Sequence, residues 1–257
     1  MNSSTKLSTE SVDELAKCFY QRDLALGLLR TSVHRLYSWP VIASEFRRYS
    51  IFDNIIGEMD HVLNNIFCEQ PSSRDYPAEK SKNTPTLSTQ EKKQAAGLMR
   101  VNHAGEVSAQ ALYQGQSLTA RDPMLRDKLK SASIEESDHL NWCRRRLDEL
   151  GEKPSRLDPL WYLGSFVLGV TAGIAGDRWN LGFLAETEYQ VVRHLENHLK
   201  QLPEKDMRSR AIVTQMKEDE LGHAHLAEEL GAAELPSPVK SLMKLTSKVM
   251  TTIAERI

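Results

Sequence analysis

Apolar residues recur along most of this chain at intervals of three and four and almost nowhere alternate with polar ones, so the pattern predicts helices and no sheet. The stretch IFDNIIGEMDHVLNNIF, residues 51–67, places Ile55, Met59, Leu63 and Ile66 on one face and predicts a short amphipathic helix. Residues 69–88 carry Pro71, Pro77 and Pro85 among Ser, Lys, Asn and Thr and predict a linker. A long helix then starts with a capping box, Ser88 with Glu91, and runs to about Leu118, where Asp122-Pro123 breaks it. A second covers about Leu125 to Leu150 and stops at Gly151. Next comes an uncharged run, PLWYLGSFVLGVTAGIAG, from Pro159 to Gly176. A third long helix covers about Asn180 to Leu202, a fourth about Asp206 to Leu230, and a last helix follows Pro238. The organisation expected is an extension over 1–48 with no assigned role, a short helix and linker over 49–88, and one helical domain over 89–257.

The second and fourth long helices repeat one another. IEESDHLNWCRRRLDELG and MKEDELGHAHLAEELG both hold Glu-x-x-His and both end Glu-Leu-Gly. Each follows a helix with one acid on its apolar face; Glu106 to Glu136 is 30 residues and Glu188 to Glu220 is 32. The domain therefore reads as two related helix pairs.

The apolar stripes make these acids chemical. Glu136 and His139 lie on the stripe of Leu129, Ala132, Leu140, Cys143 and Leu147; Glu188 lies among Leu181, Leu184, Val191 and Leu195; Glu220 and His223 interrupt Val213, Met216, Ala224 and Ala227; Glu106 shares a face with Met99, Ala109 and Tyr113. An unpaired buried carboxylate costs several kcal/mol, and no Lys or Arg lies on these stripes beside them. Two divalent ions would balance four glutamates. Glu-x-x-His puts both side chains on one helix face, one turn apart, where they can reach the same ion. A Glu from each of two helices plus Glu-x-x-His from each of the other two is the ligand set of ferritin-like di-iron bundles, and mixed imidazole and carboxylate ligands suit iron or manganese more than zinc. The expected class is thus an all-α, ferritin-like four-helix bundle, with an added apolar helix and a C-terminal amphipathic helix.

Around this constellation several readings stay open. His103 either reaches the site or is a core histidine, and His225 reads as surface. Asp219 is expected to orient a metal histidine from outside the ligand shell; Glu135 either does the same or is a surface acid. Cys143 reads as a small buried hydrophobe, and three distant cysteines (Cys18, Cys68, Cys143) suggest neither a zinc site nor a disulfide framework. A formal charge of −2 over 257 residues argues against nucleic acid as a partner. The start, MNSSTKLSTESVDE, lacks an apolar signal core. The stretch Arg22 to Arg48 leaves a mitochondrial transit segment open, against which Glu10, Asp13 and Glu14 count.

The segments AGLMRVNHAGEVSAQALYQGQ, EESDHLNWC, GSFVLGVTAGIAGDRWNLGFLAETE and EDELGHAHLAEELGA resemble the bacterial demethoxyubiquinone hydroxylases, over roughly Ile51 to Ile257. The resemblance implies a monooxygenase with two iron ions: Glu106, Glu136 and His139 on one, Glu188, Glu220 and His223 on the other, with Glu136 and in some states Glu188 bridging. It implies a prenylated demethoxyquinol and O2 as substrates. An external electron donor is also needed, because no GxGxxG fingerprint marks an internal nucleotide domain. Partners in a ubiquinone-biosynthesis complex, or further copies of the chain, belong to the same expectation. Animal members carry a His-Tyr pair where this chain has His194 and Leu195, so His194 either serves near the quinone or is a surface residue. The alternative class is a ferritin-like ferroxidase, which has no need of the apolar run.

A quinone with a prenyl tail stays in the bilayer, so the expected location is the cytoplasmic side of the cell membrane, bound peripherally. The run 159–176 is short for a span and rich in glycine, with Trp161, Tyr162 and Trp179 suited to an interface. The last helix sets Val239, Leu242, Met243, Val249, Met250 and Ile253 against Lys240, Lys244 and Lys248, as an in-plane membrane helix does. The alternative reading is that both segments pack against the bundle or a second subunit.

Overall fold

The structure, a computed structural model, describes residues 73–81 and 85–257. The extension 1–48 and the short helix expected over 51–67 lie outside the described residues. Among these residues there are six α-helices, one 3-10 turn and no strand. The turn is Pro77–Lys80. The helices are α1 (Thr89–Thr119), α2 (Pro123–Leu150), α3 (Asp158–Ile174), α4 (Asp177–Gln201), α5 (Met207–Glu229) and α6 (Ser237–Ala254).

Local chemistry explains the boundaries. Ser88 and Glu91 form the expected reciprocal capping box at the start of α1. Asp122 caps α2, and Pro123 occupies its first turn, where a missing N–H costs nothing. Gly151 ends α2 at φ 77°, a left-handed conformation that any Cβ would strain. Asp206 caps α5 and also accepts from Arg146 Nη2 at 2.8 Å, so one buried carboxylate joins the end of α2 to the start of α5.

The core consists of two apolar clusters with a polar layer between them. One holds Met99, Cys143, Leu147, Leu195, Ile212 and Met216. The other holds Tyr113, Leu125, Leu129, Leu184, Ala185 and Ala227. Each of α1, α2, α4 and α5 contributes to both clusters and carries its acids in between. The order of residues gives the directions: α1 and α5 run one way, α2 and α4 the other. Two antiparallel pairs, α1–α2 and α4–α5, thus face each other, as the repeat predicts.

α3 packs along α1 by close backbone approach. A Cβ on Gly169 would meet Leu112 O at 2.2 Å, one on Gly115 would meet Phe166 O at 2.3 Å, and one on Gly173 would meet Thr119 Oγ1 at 1.9 Å. One side of the apolar run is therefore protein core. Tyr162 corrects the interface expectation: it is buried, its hydroxyl donating to Gln114 Oε1, because that side faces α1. Leu160, Leu163, Val167 and Ile174 are exposed on the other side. α6 also splits its apolar residues: Val239, Leu242, Leu245 and Val249 are exposed, while Met250 turns inward, its Sδ 3.3 Å from Ser108 Oγ. No helix among the described residues is long and apolar enough to cross a membrane.

Candidate metal centre

All six residues predicted as ligands meet in the polar layer, and all six are buried. Glu106, Glu136, His139 and Glu220 place donor atoms within 4.8 Å of one another, and so do Glu188, Glu220 and His223. His139 Nδ1 lies 3.1 Å from Glu136 Oε2, 3.1 Å from Glu220 Oε1 and 3.7 Å from Glu106 Oε2. His223 Nδ1 lies 3.1 Å from Glu220 Oε2 and 3.2 Å from Glu136 Oε1. Glu136 and Glu220 thus each send one oxygen toward each histidine and sit between the two ends. Glu188 stands at the His223 end only, where the Tyr113 hydroxyl donates to its Oε1 at 2.9 Å. Glu220 thus takes the place in its helix pair that Glu136 takes in the other.

The outer ring nitrogens are held crosswise. His139 Nε2 meets Asp219 Oδ2 at 2.9 Å, and His223 Nε2 meets Glu135 Oε2 at 3.0 Å. Each histidine of one pair is thus held by the residue preceding the ExxH glutamate of the other. With Nε2–H donated outward, Nδ1 points at the carboxylates, and it would become a metal donor once an ion displaced its proton. Glu135, a half-exposed acid, thus contacts one of the predicted ligand histidines. Asp219 also takes a two-pronged ion pair from Arg74, Nη1 to Oδ2 at 2.7 Å and Nη2 to Oδ1 at 3.2 Å.

The electrostatics match a place for cations. Burial raises Glu106 and Glu188 well above the usual carboxylate range, and neighbouring carboxylates add to it. Burial would lower His223, but Glu136 and Glu220 outweigh it and push the imidazole up to about 12. His139 is raised for the same reason, chiefly by Glu136 against burial. Glu136 is held well below its usual range by the two histidines, against burial. Glu106 Oε2 and Glu136 Oε1 are buried and make no hydrogen bond among the described residues. Buried carboxylate oxygens that face imidazole nitrogens and make no regular hydrogen bond are the donor chemistry of a metal site.

Other candidates fall elsewhere. His103 faces Asp158 Oδ2 at 3.1 Å, on the α3 side of α1, outside the cluster. His194 packs against His198 with the rings tilted and their centroids 3.9 Å apart, and is not among the donors; burial lowers it to about 4. His225 is exposed, and Cys143 is buried in the core. The sequence reading missed Arg74, which lies in a stretch that reads as linker. It also missed Tyr113 as the partner of Glu188; a tyrosine on a stripe shared with an acid is the signal that was present.

The class these features define is a helical-bundle protein with a duplicated, buried carboxylate–histidine cluster able to hold metal ions. The chain belongs to the family described as ubiquinone biosynthesis protein COQ7, whose model matches residues 93–254. It is 56% identical over 207 residues to the 3-demethoxyubiquinol 3-hydroxylase of Chromobacterium violaceum, covering 80% of this chain and 100% of that one. It is 55% identical over 207 residues to the enzyme of the same name from Legionella pneumophila strain Corby, covering 80% and 97%. Among solved structures, a dodecameric thioferritin from Bacteroides fragilis matches at TM-score 0.46 and 14% identity, over 63% of this chain and 92% of that one.

Proposed function

We propose that this chain is a 3-demethoxyubiquinol 3-hydroxylase acting in ubiquinone biosynthesis. The observation that carries this is the match at 56% identity along the whole of a relative with that name, in a chain that buries six carboxylate and imidazole donors together. The reaction inserts one atom of O2 into a ring C–H bond of the demethoxyquinol. The second atom leaves as water, with two electrons from an external donor or from reduced quinol.

The group we assign is a pair of iron ions, which Glu106 and His139 would hold at one end and Glu188 and His223 at the other, with Glu136 and Glu220 available to both. Bound iron supplies the activation of O2 that amino-acid side chains cannot. The chain supplies the rest. Glu135 and Asp219 hold the imidazoles in one tautomer and one orientation. Tyr113 donates to Glu188 and fixes which of its oxygens is free to turn inward. The apolar clusters on either side exclude water from the polar layer, which strengthens every charge interaction within it.

For location we propose peripheral attachment to the cytoplasmic side of the cell membrane. The support is the exposed apolar side of α3 and the exposed Leu242, Leu245 and Val249 of α6, with Lys244 and Lys248 exposed beside them. Trp161 of α3 and Ala254 of α6 share one apolar cluster with Val101 and Ala104 of α1.

The test is the iron content of the purified chain together with conversion of a demethoxyquinol under air. Two irons per chain and a hydroxylated product are expected. Iron-loaded protein that oxidises Fe(II) and leaves the quinol unchanged would replace the reading with a ferroxidase.

A further inference from the structure

The cross-held histidines make the centre nearly two-fold, yet the support outside it is unequal. Asp219 uses both oxygens: Oδ2 takes Arg74 and His139, and Oδ1 takes Arg74 and, at 3.0 Å, Gln215 Nε2. Its side chain is 17% exposed. Among the described residues Glu135 makes one polar contact, to His223, and its side chain is 52% exposed. The histidines differ in the same sense, His139 at 0% exposed and His223 at 10%. Arg74 also lies over the Trp142 ring at 5.0 Å, and that ring packs on His139 with centroids 5.2 Å apart.

The segment carrying Arg74 is fastened on both sides. Ser73 donates its backbone N–H and its hydroxyl to the two oxygens of Asp138, both at 2.7 Å. Tyr76 is buried, with the guanidinium of Arg145 4.1 Å from its ring centroid. Arg74 is therefore presented to Asp219 by an anchored strap. A planar guanidinium gripping both carboxylate oxygens fixes the plane of Asp219, and so the direction in which it receives His139.

We infer that Arg74 is a positioning residue that makes the His139 end of the centre the tight metal position and leaves the His223 end the exchangeable one. This rests on the metal reading above. A ligand already held in its binding orientation gives up less freedom when an ion arrives, and outer contacts of this kind change metal affinity about 10–100-fold. The His139 end has that support. At the His223 end, a solvent-exposed glutamate with a single contact can swing away and release the imidazole.

The probe is Co(II), titrated anaerobically into the metal-free full chain against a competing chelator and followed by visible absorption. The parent is expected to bind Co(II) in two classes of unequal affinity. Arg74→Gln should weaken the tighter class about 10–100-fold and leave the looser class unchanged. Arg74→Lys, which keeps the charge without the fork, should fall between. Glu135→Gln should weaken the looser class alone. Helical circular dichroism accompanies each titration; if Arg74→Gln loses its helical signal, Arg74→Lys carries the test. A tighter class unchanged in the Arg74 variants, a loss confined to the looser class, or a single class in the parent would overturn the inference while the metal site stands. A parent chain that takes up no Co(II) would overturn the metal reading and the inference with it.

Discussion

Consider adding one methyl group at Gly169. The Cβ of Gly169→Ala would stand 2.2 Å from Leu112 O, where ordinary contact begins at 3.4 Å. The obstacle is backbone, so no side chain can turn aside. α3 must retreat from α1 by about an ångström, loosening the neighbouring approaches at Gly115 and Gly173. Overpacking typically costs about 1–3 kcal/mol, and a backbone clash belongs in the upper part of that range. Alanine in a helix returns about 0.5–1 kcal/mol over glycine, which leaves a net loss of about 1–2 kcal/mol. For a chain of this size that lowers Tm by about 2–8 °C. Gly164 lies on the same helix with nothing within 4 Å of its ideal Cβ. There only the helix term remains, and Gly164→Ala should raise Tm by about 1–4 °C. Thermal unfolding followed by circular dichroism compares the two with the parent. The sign difference is the test: if Gly169→Ala is as stable as Gly164→Ala, α3 does not dock through its glycines.

Three further outcomes are expected. Glu136→Ala and Glu220→Ala should each lose most bound iron and all hydroxylation while keeping a helical spectrum at moderate temperature; full iron occupancy in both would refute their central place. Asp219 is held down to about 2 by His139 and Arg74 against burial, so its folded value lies below its ordinary one. Its contribution to stability is therefore complete above about pH 4 and lost as pH falls toward 2. Asp219→Asn should flatten that part of the stability profile and cut turnover about 10–100-fold; an unchanged profile with unchanged turnover would place it outside the mechanism. Leu163→Asp with Val167→Lys alters the exposed side of α3 and should release the chain from anionic vesicles in a flotation assay, with activity on a long-tailed quinol falling more than on a short-tailed analogue. Continued flotation would show that this side does not face lipid.

What was legible in the sequence was whatever is written with helical period. The acids at 106, 136, 188 and 220 interrupt apolar stripes, and an interruption of that kind shows without knowing what lies opposite. Glu-x-x-His is legible because three residues make almost one turn, so a helix alone brings the pair together. The caps at Ser88 and Gly151 are equally local, and each stands at its expected place, while Asp122, expected only as a break, also caps α2. Tertiary structure alone decided the pairings across the bundle. Arg74 reaches Asp219 across 145 residues of sequence from a stretch with no period at all. The crosswise hold of each histidine depends on how the two helix pairs face each other, which neither pair contains. Gly169 and Gly173 in the apolar run say only that something comes close; that it is the Gly115 stretch of α1, leaving Leu163 and Val167 outward, follows from how the helices dock. Periodicity reports which face of a helix is buried, because burial depends on one helix at a time. Which partner buries it depends on two, and no single stretch of chain carries that information.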